Sequence, residues 1–97
     1  MHALDALGNP VRREILERLR ERPHNVGELA ARFPVSRPAI SRHLRVLTDA
    51  GLVVHTSEGT SNTYTLRPEG FAVAHAYLSR FWDDALARFK LVAENVE

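Results

Sequence analysis

Ninety-seven residues, 44% of them hydrophobic, make room for one compact domain with a modest core, to which a dimer interface would be a natural supplement. The chain has no cysteine, which excludes disulfides, thiolate metal sites and thiol redox switches. A net charge of +1 excludes a protein that coats nucleic acid indiscriminately, yet the charge is uneven: residues 29–57 hold Arg32, Arg37, Arg42 and Arg45 against Asp49 alone.

No apolar run approaches the roughly 18 residues of a membrane span, and the N-terminus lacks the layout of a signal peptide, so a cytoplasmic protein without membrane contact is expected. Leu4 and Leu7 begin a first helical turn that Gly8, Asn9 and Pro10 interrupt. Asn9 then serves as N-cap and Pro10 as the first residue of a second helix, where a missing N–H costs nothing. Val11, Ile15, Leu16 and Leu19 form its inner stripe, and Arg12, Arg13, Glu14, Glu17, Arg18 and Glu21 read as a solvated face laced with i,i+4 pairs. A phosphate contact by Arg12 or Arg13 is the alternative.

Asn25 followed three residues later by Glu28 is a capping box, opening a helix in which Val26, Leu29, Ala30 and Phe33 face inward until Pro34 ends it. Ser36 is placed to cap the next helix, predicted over about 36–50, with Pro38 in its first turn and Gly51 closing it. Ile40, Leu44 and Leu47 make its buried stripe. At 100° per residue Pro38, Ser41, Arg42 and Arg45 share the opposite arc, with Arg37 at the tip: a basic face without an acid. Helix, short turn and basic helix is the helix-turn-helix arrangement, in which the second helix enters the major groove of DNA.

Leu52, Val54, Tyr64 and Leu66 alternate with polar residues on either side of Glu58, Gly59, Thr60 and Ser61, so a two-stranded hairpin with a loose turn is expected over about 52–67. From about residue 70 to 94 runs the longest helical pattern. Phe71, Ala74, Leu78, Phe81, Ala85 and Val92 form one stripe and Trp82, Leu86, Phe89 and Ala93 the next, an arc too wide for one surface.

The stretch VGELAARFPVSRPAISRHLRVLTDAGLV resembles the core of the ArsR/SmtB family of bacterial winged-helix repressors, with its S-x-x-x-S-x-HLxxLxxAGLV pattern. LGNPVRREILERL is similar to the family's first helix and VVHTSEGTSNTYTL to its wing, so the resemblance covers nearly the whole chain. Pro34 departs from it, standing where many members carry a glycine. Because proline cannot take positive φ, that turn must be built differently here.

The resemblance implies a mainly α fold with a small β-hairpin: a single winged helix-turn-helix domain with N- and C-terminal dimerisation helices. It implies a homodimer that binds double-stranded DNA, read as a repressor acting at a pseudo-palindromic operator. The expected DNA-binding residues are Ser36, Arg37, Pro38, Ser41, Arg42, His43 and Arg45, with Thr60, Ser61 and Asn62 from a wing poor in the arginines common there. The expected dimer residues are Leu4, Leu7, Leu78, Phe81, Trp82, Ala85 and Phe89. The aromatics Phe81 and Trp82 are candidate anchors, the alternative being that both fill the protomer's own core.

His43, which the family pattern keeps, flanks the buried stripe, so it reads first as a partly packed histidine bonded to backbone and second as a phosphate contact. Metal-sensing relatives place an Asp-x-His and a further His with Glu or His on the last helix. Here that helix offers His75, Asp83, Asp84 and Glu94 without the spacing, so no metal and no cofactor is expected. Nothing assembles a nucleophile, base or phosphate loop, so the chain is not read as an enzyme. The rival reading is a winged-helix protein-interaction module without specific DNA binding, which has no need of a basic arc. No effector can be named from these residues.

Overall fold

The computed structural model describes residues 2–95. In chain order it contains α1 (His2–Leu7), α2 (Pro10–Glu21), β1 (His24–Asn25), α3 (Val26–Ala30), α4 (Arg37–Asp49), β2 (Val53–Glu58), β3 (Ser61–Leu66) and α5 (Pro68–Glu94). Mainly helical with one small antiparallel sheet, this is the winged helix-turn-helix fold.

Local chemistry places most of the boundaries. Asn9 Oδ1 accepts from the backbone N–H groups of Val11 and Arg12 at 2.9 and 3.1 Å, opening α2 with Pro10 in its first turn. The capping box at α3 is complete: Glu28 N–H donates to Asn25 Oδ1 at 2.8 Å, and Asn25 N–H donates to Glu28 Oε1 at 3.0 Å. Arg22 adds a bond to the other Glu28 oxygen at 2.9 Å. The Asn25 backbone donor, then Arg22, hold the Glu28 carboxyl below the usual carboxylate range.

The helix opened by that box is shorter than expected. It ends at Ala30, four residues before Pro34, because a proline ring clashes with the carbonyl at i−4 and has no N–H to offer it. Phe33 is still half-buried against the core, from the turn rather than from a helix. No residue of that turn has positive φ, so the connection is built without the left-handed glycine of many relatives.

At the other end of α4, Gly51 has φ 77°, its N–H donates to Thr48 O at 3.0 Å and Leu52 N–H to Leu47 O at 3.0 Å. These two bonds make a Schellman cap, which buries Leu52 before the strand begins. The strand therefore starts its pleat at Val53, paired with Leu66, and the facing differs from expectation by one residue. Val53 is buried while Val54 stands 47% exposed.

The hairpin turn is tight rather than loose, with Gly59 and Thr60 between β2 and β3. Gly59 alone has positive φ, at 62°, the pattern of a type II′ turn. The sheet also gains a third strand: β1 pairs antiparallel with β3, His24 opposite Tyr64 and Asn25 opposite Thr63, giving the order β1-β3-β2. The expected hairpin is thus tied to the chain segment that opens α3.

The core joins Ala3 and Ala6 of α1, Ile15, Leu16 and Leu19 of α2, Leu29 of α3, Ile40, Leu44 and Leu47 of α4, then Leu52, Val53 and Ala74. Fully burying a leucine or isoleucine contributes about 1.5–3 kcal/mol, so the α4 stripe alone fixes which face that helix turns outward. α1 turns its alanines inward. Leu7 packs at the core's edge and Leu4 is half-buried beside it.

α5 starts two residues before the expected 70 and runs 27 residues, about 40 Å at 1.5 Å per residue. Only Ala74 of this helix is buried, with Phe71 packed beside it. The rest projects from the domain, which measures 65 × 26 × 23 Å. Phe81 and Trp82 are 59% and 63% exposed, so the alternative that they fill the protomer's own core does not hold. No helix among the described residues is long and apolar enough to cross a membrane.

Candidate nucleic-acid interface

α4 carries the site. Ser36 caps it through Ala39 N–H, which donates to Ser36 Oγ at 3.3 Å. With Ile40, Leu44 and Leu47 each fully buried, the helical period turns Pro38, Ser41, Arg42, Arg45 and Val46 to solvent. The four predicted arc residues are therefore together. Val46, 40% exposed, joins them, a residue assigned from the sequence neither to the buried stripe nor to the arc.

Arg37 stands apart from that arc. Its guanidinium lies beside Gly27 at the start of α3, and with Asn25, Val26, Thr60, Ser61 and Asn62 it lines a cleft of about 200 Å³ between α3, α4 and the wing tip. The wing residues Thr60, Ser61 and Asn62 are exposed there, and Asn62 Oδ1 accepts from Ser57 Oγ at 2.9 Å. That bond leaves the Asn62 amide N–H groups turned away from Ser57 as donors. The cleft thus combines a guanidinium, two amides and two hydroxyls, which is donor chemistry for an anion such as a phosphodiester. β1 is what closes it, by bringing Asn25 beside the hairpin.

Charge pairing separates this surface from the rest of the domain. On α2, Arg18 pairs with Glu14 and Glu21, and Arg20 with Glu17; nearby Arg22 pairs with Glu28. Among the described residues, Arg32, Arg37, Arg42 and Arg45 have no carboxylate within 4.0 Å. The expected solvated face of α2 holds for Glu14, Glu17, Arg18 and Glu21 but not for Arg12 and Arg13, and the helix-turn-helix cations are left uncompensated.

Two arginines of α2 do something unforeseen. Arg12 Nε donates to Ala6 O at 2.8 Å and its Nη2 to Asp5 O at 3.2 Å, while Arg13 Nη1 donates to Leu7 O at 2.9 Å. Together they supply donors to the last carbonyls of α1, where intrahelical donors run out, and Asp5 O accepts from Gly8 N–H at 3.1 Å as well. Arg12 also reaches His43 Nδ1 through Nη1 at 3.4 Å. His43 is half-buried, as expected, but its partner is this side chain rather than backbone. Burial first, then the charges of Arg12 and Arg42, hold its imidazole below the ordinary histidine range.

Among the described residues no group of three or more His, Asp or Glu side chains is gathered closely enough to hold a metal ion. The expected dimer residues Leu78, Phe81, Trp82, Ala85 and Phe89 are all exposed on the projecting part of α5, well away from the α4 face.

Residues 7–56 match the helix-turn-helix domain family. The chain is 48% identical over 87 residues to the HTH-type transcriptional regulator Rv2034 of Mycobacterium tuberculosis, covering 90% of this chain and 81% of that one. Among solved structures, an ArsR-like transcriptional regulator from Rhodococcus sp. RHA1 superposes with a TM-score of 0.79 at 34% identity, over 99% of this chain and 91% of the other. The homodimeric winged helix-turn-helix DNA-binding domain of a possible ArsR-family regulator from Mycobacterium bovis superposes at 0.68, with 28% identity over 90% and 81%. Fold, motif and relatives agree that the chain belongs to the ArsR/SmtB-type family of winged helix-turn-helix transcriptional regulators, a DNA-binding and non-enzymatic class.

Proposed function

We propose that the protein is a cytoplasmic homodimer that represses transcription by occupying a pseudo-palindromic operator, with the α4 of each protomer in successive major grooves. The observation that carries this reading is the unpaired arginine set on the outer face of the helix-turn-helix. An interaction scaffold gains nothing from uncompensated guanidinium groups, whereas a polyanion supplies their partners.

The residues divide by position. Arg42, Arg45 and Ser41 lie on the outer arc of α4 within reach of base edges, and Pro38 and Val46 offer apolar surface to a thymine methyl. Arg37, Thr60, Ser61 and Asn62 hold a phosphate in the cleft beside the wing. Leu78, Phe81, Trp82, Ala85 and Phe89 of α5, with Leu4 and Leu7 of α1, form the two-fold seam that spaces the two reading helices about 34–36 Å apart. The homodimer of the M. bovis relative supports that arrangement.

The test uses a duplex enriched by the wild-type protein from a random-sequence library, in gel shifts at several salt concentrations. Arg42→Ala should cost about 1–3 kcal/mol and relax preference at one position if the side chain reads a base. Arg37→Ala should weaken all sequences alike and lower the salt slope by about 1. Unchanged binding in both variants overturns the assignment.

A further inference from the structure

We propose that Arg12 is a positioning residue for DNA binding: it clamps the C-terminal end of α1 to the recognition helix α4 through a contact that exists only while His43 is neutral. The proposal rests on the DNA-binding reading and adds to it a residue on a different helix, whose side chain does not touch the reading face.

The geometry is a fork with three ends. Arg12 Nε and Nη2 hold Ala6 O and Asp5 O at the end of α1, and Nη1 holds His43 Nδ1 in the middle of α4. One rigid, planar guanidinium thereby fixes the distance and rotation between two helices that also pack directly on one another. α1 packs on α5 as well, so the clamp lies between the helix assigned to the seam and the helix assigned to the groove. Arg12 is half-buried, so water competes for these bonds less than at an exposed pair.

The contact dictates the state of the imidazole. A guanidinium has five donors and no acceptor, so Nδ1 must present its lone pair and the ring proton must sit on Nε2. Protonating His43 puts a proton on Nδ1 that points at an N–H and sets two cations side by side. The charged groups acting on His43 are Arg12 from α2 and Arg42 from its own helix, both positive, while α1 brings backbone carbonyls to Arg12 and no compensating charge to the ring. Both charges and the partial burial oppose protonation, so the clamp is closed at neutral pH and opens as the solution is acidified through the lowered histidine range. The sign is the reverse of a phosphate-binding histidine, which DNA would help to protonate.

The test combines binding with a direct view of the ring. With the duplex enriched by the wild-type protein, Arg12→Gln should lose roughly three- to tenfold in affinity at neutral pH, the range one hydrogen bond contributes. Wild-type affinity should fall on acidification, and Arg12→Gln should show a smaller fall. Nitrogen-15 imidazole spectra of the free protein, with the His43 signals assigned by their absence in His43→Gln, should show the Nε2–H tautomer and a titration that moves upward in Arg12→Gln. Because a substitution that merely loosened the fold would also relieve the burial of His43 and raise its titration, the comparison is made on Arg12→Gln protein whose circular dichroism and thermal unfolding match wild type.

Affinity that rises on acidification, an Nδ1–H tautomer at neutral pH, or an Arg12→Gln protein with unaltered binding and unaltered His43 titration would each overturn the clamp. The tautomer is read on the wild-type protein, so it decides the matter even if Arg12→Gln does not fold. Failure to enrich any duplex would count against the DNA-binding reading instead, leaving the imidazole spectra to judge the clamp by themselves.

Discussion

Gly70 is the position where a single methyl group has the clearest consequence. It lies in the first turn of α5, and a Cβ there would stand 2.6 Å from the carbonyl carbon of Gly51, closer still to its oxygen, and 3.3 Å from Leu52 N. All three are backbone atoms of the Schellman cap that ends α4, so no side-chain rotation can make room. Gly→Ala within a helix ordinarily gains about 0.5–1 kcal/mol from backbone entropy. Overpacking costs about 1–3 kcal/mol, and a clash between two fixed backbones belongs at the upper end. The net expectation for Gly70→Ala is a loss of about 2 kcal/mol, which at about 4–8 °C per kcal/mol for a domain of this size lowers Tm by about 8–16 °C. Thermal unfolding by far-ultraviolet circular dichroism measures it, at matched protein concentration because Tm of an oligomer depends on concentration. Ala72→Gly, an exposed position on the same helix, is the control and should cost only the ordinary helical penalty. A Gly70→Ala protein as stable as wild type would show that α5 does not approach α4 closely, and the argument for how the two helices are held would go with it.

Phe81→Glu combined with Trp82→Glu should give a folded monomer with weak, unspecific DNA binding, since neither side chain belongs to the protomer's core; sedimentation showing a persistent dimer would refute the seam. Asn25→Ala should cost about 1 kcal/mol through loss of the cap. Because the Glu28 carboxyl is held low in the folded state by the Asn25 backbone N–H and by Arg22, the stability it supplies is present above the ordinary carboxylate range and is lost as pH falls through the lowered one; urea titrations across acid pH should show a shallower dependence in Glu28→Gln, which has no carboxyl to titrate.

Sequence periodicity was enough wherever one side of a helix had to be buried and its ends carried cap chemistry. Asn9, Asn25 and Ser36 open their helices as read, Gly51 closes α4, and the stripe of Ile40, Leu44 and Leu47 orients the whole basic face. The reading failed where a feature is non-local or too short to have a period. β1 is two residues long, and nothing within His24 and Asn25 announces that their partners are Tyr64 and Thr63, some forty residues on. Val53 and Val54 are equally apolar, so only the cap that buries Leu52 decides which of them faces inward. Arg12 and Arg13 looked like members of an ordinary solvated face, because the carbonyls they satisfy belong to another helix. Val46 was assigned to neither face, although the same 100° period places it beside Arg42 and away from Leu47.

Net charge is the wrong scale on which to judge this surface. Sorted by partner, Arg18, Arg20 and Arg22 are neutralised by carboxylates, Arg12 and Arg13 are engaged with the carbonyls of α1, and Arg80, Arg88 and Lys90 share α5 with Asp83, Asp84 and Glu94. Arg67 pairs with Glu69, and what is left over is Arg32 in the turn before α4 and Arg37, Arg42 and Arg45 on α4 itself. A chain of net charge +1 therefore carries four arginines without a carboxylate partner around its helix-turn-helix, while seven of its twelve acids sit on α2 and in the last fifteen residues. The wing adds no lysine or arginine, only hydroxyls and an amide. Few phosphates can then be neutralised and the counterion-release share of the affinity stays small, so in the proposed docking discrimination must come from how accurately α4 is held against the bases. With α4 in the major groove as proposed, the contacts that orient it, the Schellman cap against Gly70 on one side and the Arg12 fork on the other, would matter to function although neither is placed at the DNA.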